Sequence, residues 1–307
     1  MSYVATAVVL TLAGGALAAY HSSPAGRRSA AERYARAVDL DLGALRAVVE
    51  QRLARRERAG ALGAAAGAWV TVGLLATVAL PSSWLAALAP IGFLAGAAVA
   101  YAAVAWRDSG GPLRDGPRIA RATAPGHDDY VPRHERWGAW VAAGVATALA
   151  VGLVVVDAVG ALDLGRVPLG LAAVTAALPW VLAALDVAVA RRLLDRPQVA
   201  TSTHELAWDD ALRARTLRDL VGVVITVAVV LPVMLLSVVA DGLPGGWPDN
   251  PAVGVVMGLT AAILGAAGVM ALVSLVLDPR RHVRSRLWPV GRPASGQPAG
   301  ATPGGVR

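Results

Sequence analysis

The chain has no cysteine and no lysine, and its single phenylalanine is Phe93. Without cysteine there is no disulfide framework, no thiolate metal site and no cysteine nucleophile. All 28 basic residues are therefore arginine. Charge is also scarce, at 16% of 307 residues, where a soluble globule carries roughly a quarter. Apolar residues fill the difference: they make up 56% of the chain, rich in Ala, Gly and Val, and mean hydropathy is +0.56. An excess of this size needs lipid to cover it.

Several motifs are missing too. There is no Gly-x-x-x-x-Gly-Lys-Ser/Thr phosphate loop, no His-Glu-x-x-His, no Gly-x-Ser-x-Gly and no strand-flanked Gly-x-Gly-x-x-Gly. This argues against an ATPase, a zincin or a nucleotide-cofactor enzyme, and no cofactor and no catalytic residue is expected. His127, Asp128, Asp129, His134 and Glu135 are metal-ligand types, but their spacing matches no metal geometry and Pro125-Gly126 and Pro132 mark an irregular loop. No metal site is expected there.

What is present is seven apolar runs, at residues 2–20, 59–80, 84–106, 137–156, 167–189, 219–240 and 251–277. Each can cross a hydrocarbon core roughly 30 Å thick at about 1.5 Å per residue, the first only just. Runs that long, without alternation, are helices in lipid, because backbone amides there find partners only within the segment. The expected fold is an all-α integral membrane bundle of about seven transmembrane helices.

Arginine gives the orientation. Segments 21–58, 107–136, 190–218 and 278–307 hold 27 of the 28, and the opposite side holds only Arg166. Basic residues mark cytosolic flanks, so the amino terminus is expected outside and the carboxyl terminus in the cytosol. Residues 1–20 are then an anchor helix, 21–58 an arginine-rich cytosolic segment, and 59–277 a six-helix bundle with cytosolic loops 107–136 and 190–218. Ala16-Leu17-Ala18 resembles a signal-peptide cleavage site, but the first ten residues lack the positive charge of such a leader, and an uncleaved anchor is the expectation.

In segment 21–58, Tyr34, Val38, Leu42, Leu45, Val49 and Leu53 recur at helical spacing. The stripe fits an amphipathic helix on the inner leaflet or a partner, and equally a helix packed on the protein's own surface. Ser202 and Glu205 form a capping box that starts another cytosolic helix, with Asp209 and Arg213 four residues apart. Residues 278–307, with six Arg, no acid and repeated Pro and Gly, read as a disordered basic tail. Its Arg280, Arg281, Arg284 and Arg286 are placed to anchor on anionic inner-leaflet lipid. Nucleic acid is not expected, since no aromatic-interleaved platform accompanies the arginines.

Within the spans proper, with Asp219 at the edge of its run, Asp186 is the one charged residue, a carrier-site candidate by its chemistry. Three residues from the inner end of its span, it is expected to snorkel to the headgroups instead. Pro179, Trp180 and Pro232 lie mid-span, where proline serves as a kink or as the break of a binding site. Gly63/Gly67, Gly92/Gly96 and Gly254/Gly258 have the spacing of close helix packing.

The stretches Asp129-Tyr130-Val131-Pro132, Ala190 to Gln198 and Glu205 to Arg213 resemble multi-span membrane proteins of actinobacteria that carry no assigned activity. The resemblance implies a polytopic membrane fold and no catalytic role. Two functions fit: a non-enzymatic scaffold or accessory subunit engaging a cytosolic or membrane protein partner, which is preferred, and a small-solute carrier with a site near Asp186, Pro179, Trp180 and Pro232.

Overall fold

The computed structural model describes residues 3–76, 82–108, 125–162, 164, 167–196, 198, 200, 202–243, 250–276 and 279–288. Its elements are α1 (Tyr3–Ser22), α2 (Pro24–Val38), a 3-10 turn (Gly43–Leu45), α3 (Arg46–Ala76), α4 (Ser82–Asp108), α5 (His127–Tyr130), α6 (Arg133–Ala158), α7 (Leu169–Leu194), α8 (Thr203–Gly242), α9 (Pro251–Val276) and α10 (Pro279–Leu287). Among the described residues, each apolar run falls in one long helix, apart from Val167 and Pro168 just ahead of α7. Among the described residues, five helical stretches are long and apolar enough to cross a membrane: Ala89–Arg107, Arg133–Ala158, Leu169–Leu194, Thr203–Gly242 and Pro251–Val273.

Helix α8 sets the scale of the molecule. Its 40 residues make a rod about 60 Å long, twice a hydrocarbon core, so half of it must stand outside the apolar layer. Ser202 caps it, its Oγ accepting from the Glu205 backbone N–H at 3.1 Å. The capping box thus starts the same helix that later becomes a span, not a separate cytosolic one. Pro232 lies inside α8 and Pro179 inside α7, and both helices run on past them.

Two packing chemistries hold the helices together. Between α3 and α4, Gly63 and Gly67 meet Gly92 and Gly96, and a Cβ at Gly67 or Gly96 would collide with the carbonyl oxygen of Gly92 or Gly63. The first two glycine pairs are therefore used within the chain, where missing side chains let the backbones approach. Helices α6, α7 and α8 interlock through branched aliphatics instead: Leu217, Val227, Leu231, Leu235, Leu236 and Val239 of α8 are fully buried. Helix α9 packs on α8 and leaves Val255, Met257, Leu264, Val269 and Leu272 exposed, the surface lipid would cover.

The amphipathic stripe is not one helix. Helix α2 ends at Asp39, which adopts the left-handed conformation (φ 54°, ψ 47°), and a 3-10 turn precedes α3. Asp tolerates that region better than most residues, because its short side chain bonds locally. The break lets the stripe fold back: Leu42, Val49 and Leu53 bury against Trp208 of α8, with Tyr34, Val38 and Leu45 packed beside them. Of the two alternatives for this stripe, packing on the protein's own surface is what the structure contains. The basic tail also differs from expectation at its start. Residues 279–287 are helical, with Val283 and Leu287 packed on the main core, because the otherwise polar helix carries two apolar residues on one face. Residues 289–307 lie outside the described residues.

Candidate functional site

At the arginine-rich end, the first half of α8 is a scaffold for charge. Its Arg213 pairs with Asp209 one turn back, at 3.0 Å. Arg215 pairs with Glu57 of α3 and lies 4.9 Å over the Tyr34 ring. Arg218 grips Glu135 of α6 with two bonds of 3.1 Å, Nε to Oε2 and Nη2 to Oε1. Such a fork matches a carboxylate in two directions at once, and Glu135 is buried at 8% exposure. The Tyr34 hydroxyl donates to the Ala211 carbonyl. Burial pushes its phenol up to about 12 despite neighbouring Arg215 and Arg56, so it stays a donor at any physiological pH.

The most buried carboxylate of this end is Asp210, at 0% exposure. Its Oδ1 accepts from the Tyr130 hydroxyl at 2.9 Å and from Gln198 Nε2 at 2.6 Å, and its Oδ2 accepts from Trp288 Nε1 at 3.1 Å. Three distant stretches are thereby tied to α8 through one side chain. A buried carboxylate is tolerated when its lone pairs are satisfied, and here they are. Periodicity did not single out Asp210. The one signal was that Tyr130, Gln198 and Asp210 each lie in a stretch that carried the family resemblance.

These groups surround a vestibule of about 760 Å³, open on one side, within the range of small-ligand sites. Arg33 and Tyr34 come from α2, Glu57 from α3, Arg215, Arg218 and Asp219 from α8, and Trp288 follows α10. Both signs of charge line it. Arg218, which lines it, is the guanidinium paired with Glu135. One helical turn further along α8, Val221 lines a second cavity of about 40 Å³ with His127, Arg136, Trp140 and Asp186.

Asp186 therefore does not snorkel. It is 7% exposed and faces the bundle interior, with Oδ1 lacking a hydrogen-bond partner. The reason is helical phase: it continues the buried stripe of Pro179, Leu182, Ala183 and Val189 on α7. The other carrier candidates are not gathered around it. Trp180 points outward, donating to Thr147 Oγ1 at 2.8 Å and lying 5.5 Å from the Trp140 ring, while Pro179 and Pro232 are buried away from the small cavity.

The five metal-ligand types of the second loop disperse. Asp128 pairs with Arg133 and Arg136, Asp129 Oδ2 accepts from the Gly126 backbone N–H at 2.8 Å, and Glu135 is held by Arg218. His127 turns to the small cavity. Burial, together with the Arg136 charge, pushes its imidazole down to about 4 against the opposing pull of Asp128, so the ring is neutral at neutral pH. No group of three or more potential metal ligands occurs among the described residues. Of the proposed lipid-anchoring arginines, Arg286 is exposed, and the side chains of Arg280, Arg281 and Arg284 lie outside the described residues.

The class defined by this fold is a helical protein with, among the described residues, five helices long and apolar enough to cross a membrane and a ligand-sized vestibule lined by charged residues at its arginine-rich end. No protein-family model matches the chain, and no curated protein or solved structure matches it.

Proposed function

We infer that the chain is a seven-span protein of a bacterial plasma membrane, amino terminus outside and carboxyl terminus in the cytosol, that acts as a small-solute carrier with its vestibule open to the cytosol. The arginine split supports the orientation. The observation that carries the function is the order of features along α8: a vestibule of about 760 Å³, its lining residue Arg218 held by Glu135, and one turn further along a cavity with the buried Asp186. A cleft, a thin polar barrier and an intramembrane acid are the parts a carrier needs on one side. The mixed-sign lining suits a small polar or zwitterionic solute.

The sequence favoured a scaffold because polar groups within the spans are sparse and a polar solute needs them along its path. The apolar stripe of segment 21–58, a candidate docking surface for its partner, is covered by the protein itself. One observation still favours an accessory subunit. Beyond Asp186, the buried face of α8 continues as Val224, Val227, Leu231 and Leu235, which give a polar solute nothing to bind.

The test is counterflow into proteoliposomes offered a pool of small polar metabolites, comparing the natural chain with Ala214→Trp, which fills the vestibule wall. A carrier accumulates at least one solute, and the variant does not. A pool that neither protein accumulates sinks the carrier and leaves the accessory subunit.

A further inference from the structure

The face of α8 turned away from the vestibule bounds another pocket, of about 80 Å³. Arg52 and Arg56 reach it from α3, Tyr101 from α4, and Asp209, Arg213 and Thr216 from α8. Three guanidiniums thus face one carboxylate. Asp209 is shared, 3.5 Å from Arg52 and 3.0 Å from Arg213. Arg213 is also held by the Leu193 carbonyl at 2.8 Å, so its position is fixed.

Arg56 is the unusual member. It is 6% exposed. Its Nη2 donates to Asp219 at 2.6 Å, and its guanidinium lies 4.9 Å over the Tyr101 ring, yet Nε and Nη1 are buried without a hydrogen-bond partner. Buried donors are nearly always paired, and those of a charged group most of all. Asp219 does not neutralise the site alone, because it also serves Arg215 at 3.7 Å. An anion in the pocket would answer both the surplus charge and the two unpaired donors. The position is informative as well: α3 passes from charged to apolar after Arg58, and Trp106, near the end of α4, is exposed beneath the Arg192 guanidinium at 4.2 Å. Tryptophan and arginine together mark headgroup depth in a membrane.

We propose that this pocket binds a phosphate group, with Arg56 as its anchoring donor and Arg52 and Arg213 completing the charge balance. A phosphate offers acceptor oxygens in several directions, which suits donors arriving from two helices, and guanidinium groups are matched to it. The group belongs to an anionic phospholipid headgroup or is free inorganic phosphate. The proposal is independent of the vestibule, which lies on the opposite face of α8.

The test uses the full chain in three arms: phosphatidylglycerol nanodiscs, phosphatidylcholine nanodiscs, and phosphatidylcholine nanodiscs with inorganic phosphate against sodium chloride of equal ionic strength. Lipid retained on release is read by native mass spectrometry, and thermal stability is read in each arm. Two variants are compared, Arg52→Gln, at a side chain 41% exposed, and Arg56→Lys, which keeps the charge but loses the planar fork. Retained phosphatidylglycerol that falls about tenfold in Arg52→Gln and further in Arg56→Lys assigns the site to lipid. Stabilisation by phosphate above chloride, reduced to the same degree by Arg52→Gln, assigns it to the free ion. If Arg56→Lys does not fold, Arg52→Gln alone decides. Equal behaviour of natural chain and Arg52→Gln in every arm, or chloride acting as well as phosphate, overturns the proposal.

Discussion

The two halves of α8 are one helix held in two ways. From Thr203 to Asp219 ionic and directional contacts are added to apolar ones such as those of Trp208 and Leu217: Arg213 with Asp209, Arg215 with Glu57, Arg218 with Glu135, and Asp210 with three neutral donors. From Leu220 to Gly242 its partners are branched aliphatics, with Val227, Leu231, Leu235, Leu236 and Val239 at 0% exposure. The first half gains geometry, since each polar contact fixes a direction and distant loops can be tied to one point. The second gains packing without direction, which lipid itself partly rivals, as a helix leaving its neighbour meets hydrocarbon rather than water. Both proposed binding sites lie where directional contacts are available, at the charged end.

The contrast is sharpest at Asp210. Replacing it by alanine takes an acceptor from the buried Tyr130 and from the half-buried Gln198 and Trp288, at about 1 to 3 kcal/mol for each donor that finds no other partner. Asp210→Ala should lower stability by about 3 to 5 kcal/mol, read as a large fall in the unfolding midpoint of the detergent-purified protein. A change below about 1 kcal/mol would mean that the hub is ornamental and the two halves are alike. In the aliphatic half, Leu235→Ala should cost about 2 kcal/mol, the low end for a buried leucine, because lost contacts rather than exposure to water set the penalty. If Leu235→Ala proves costlier than Asp210→Ala, the ranking of the halves is reversed.

The smallest expected effect is one of pH. The His127 imidazole sits at about 4 in the folded protein, below its ordinary 6.5. The unfolded chain therefore binds this proton first as pH falls, and stability contributed by the neutral ring is present above about 6.5, declines toward about 4 and levels off below. His127→Gln should flatten that part of a melting-temperature profile. An unchanged slope between the two proteins would show that the ring is not held neutral by burial.

Much of this fold was legible because length and composition alone decide it. An uninterrupted apolar run of about 20 residues has one good solution in lipid, and each run lies in a helix. Orientation around each helix was not legible. Helix α7 is apolar on every side, so no periodicity separates the face of Asp186, which is buried, from that of Trp180, which is outward, and depth alone suggested snorkelling. The continuity of α8 was obscured because Ser202 and the apolar run from residue 219 read as two separate signals, though Asp209 and Arg213, four residues apart, keep a helical spacing between them. The vestibule was out of reach, since Tyr34, Glu57, Arg218 and Trp288 meet only through tertiary folding.

The carrier reading depends on the charged end facing the cytosol. The chain has no cysteine, so single cysteines can be introduced without background. The decisive measurement is labelling by a membrane-impermeant thiol reagent in intact cells, with cysteine placed in turn at Ser23, Ser202, Ser82 and Gly246. Seven spans with the vestibule inside predict that the cysteines at Ser23 and Ser202 stay unlabelled until the cells are opened, while those at Ser82 and Gly246 are labelled at once. Immediate labelling at Ser202, one residue before the helix that builds the site, would contradict the orientation and with it the cytosolic vestibule.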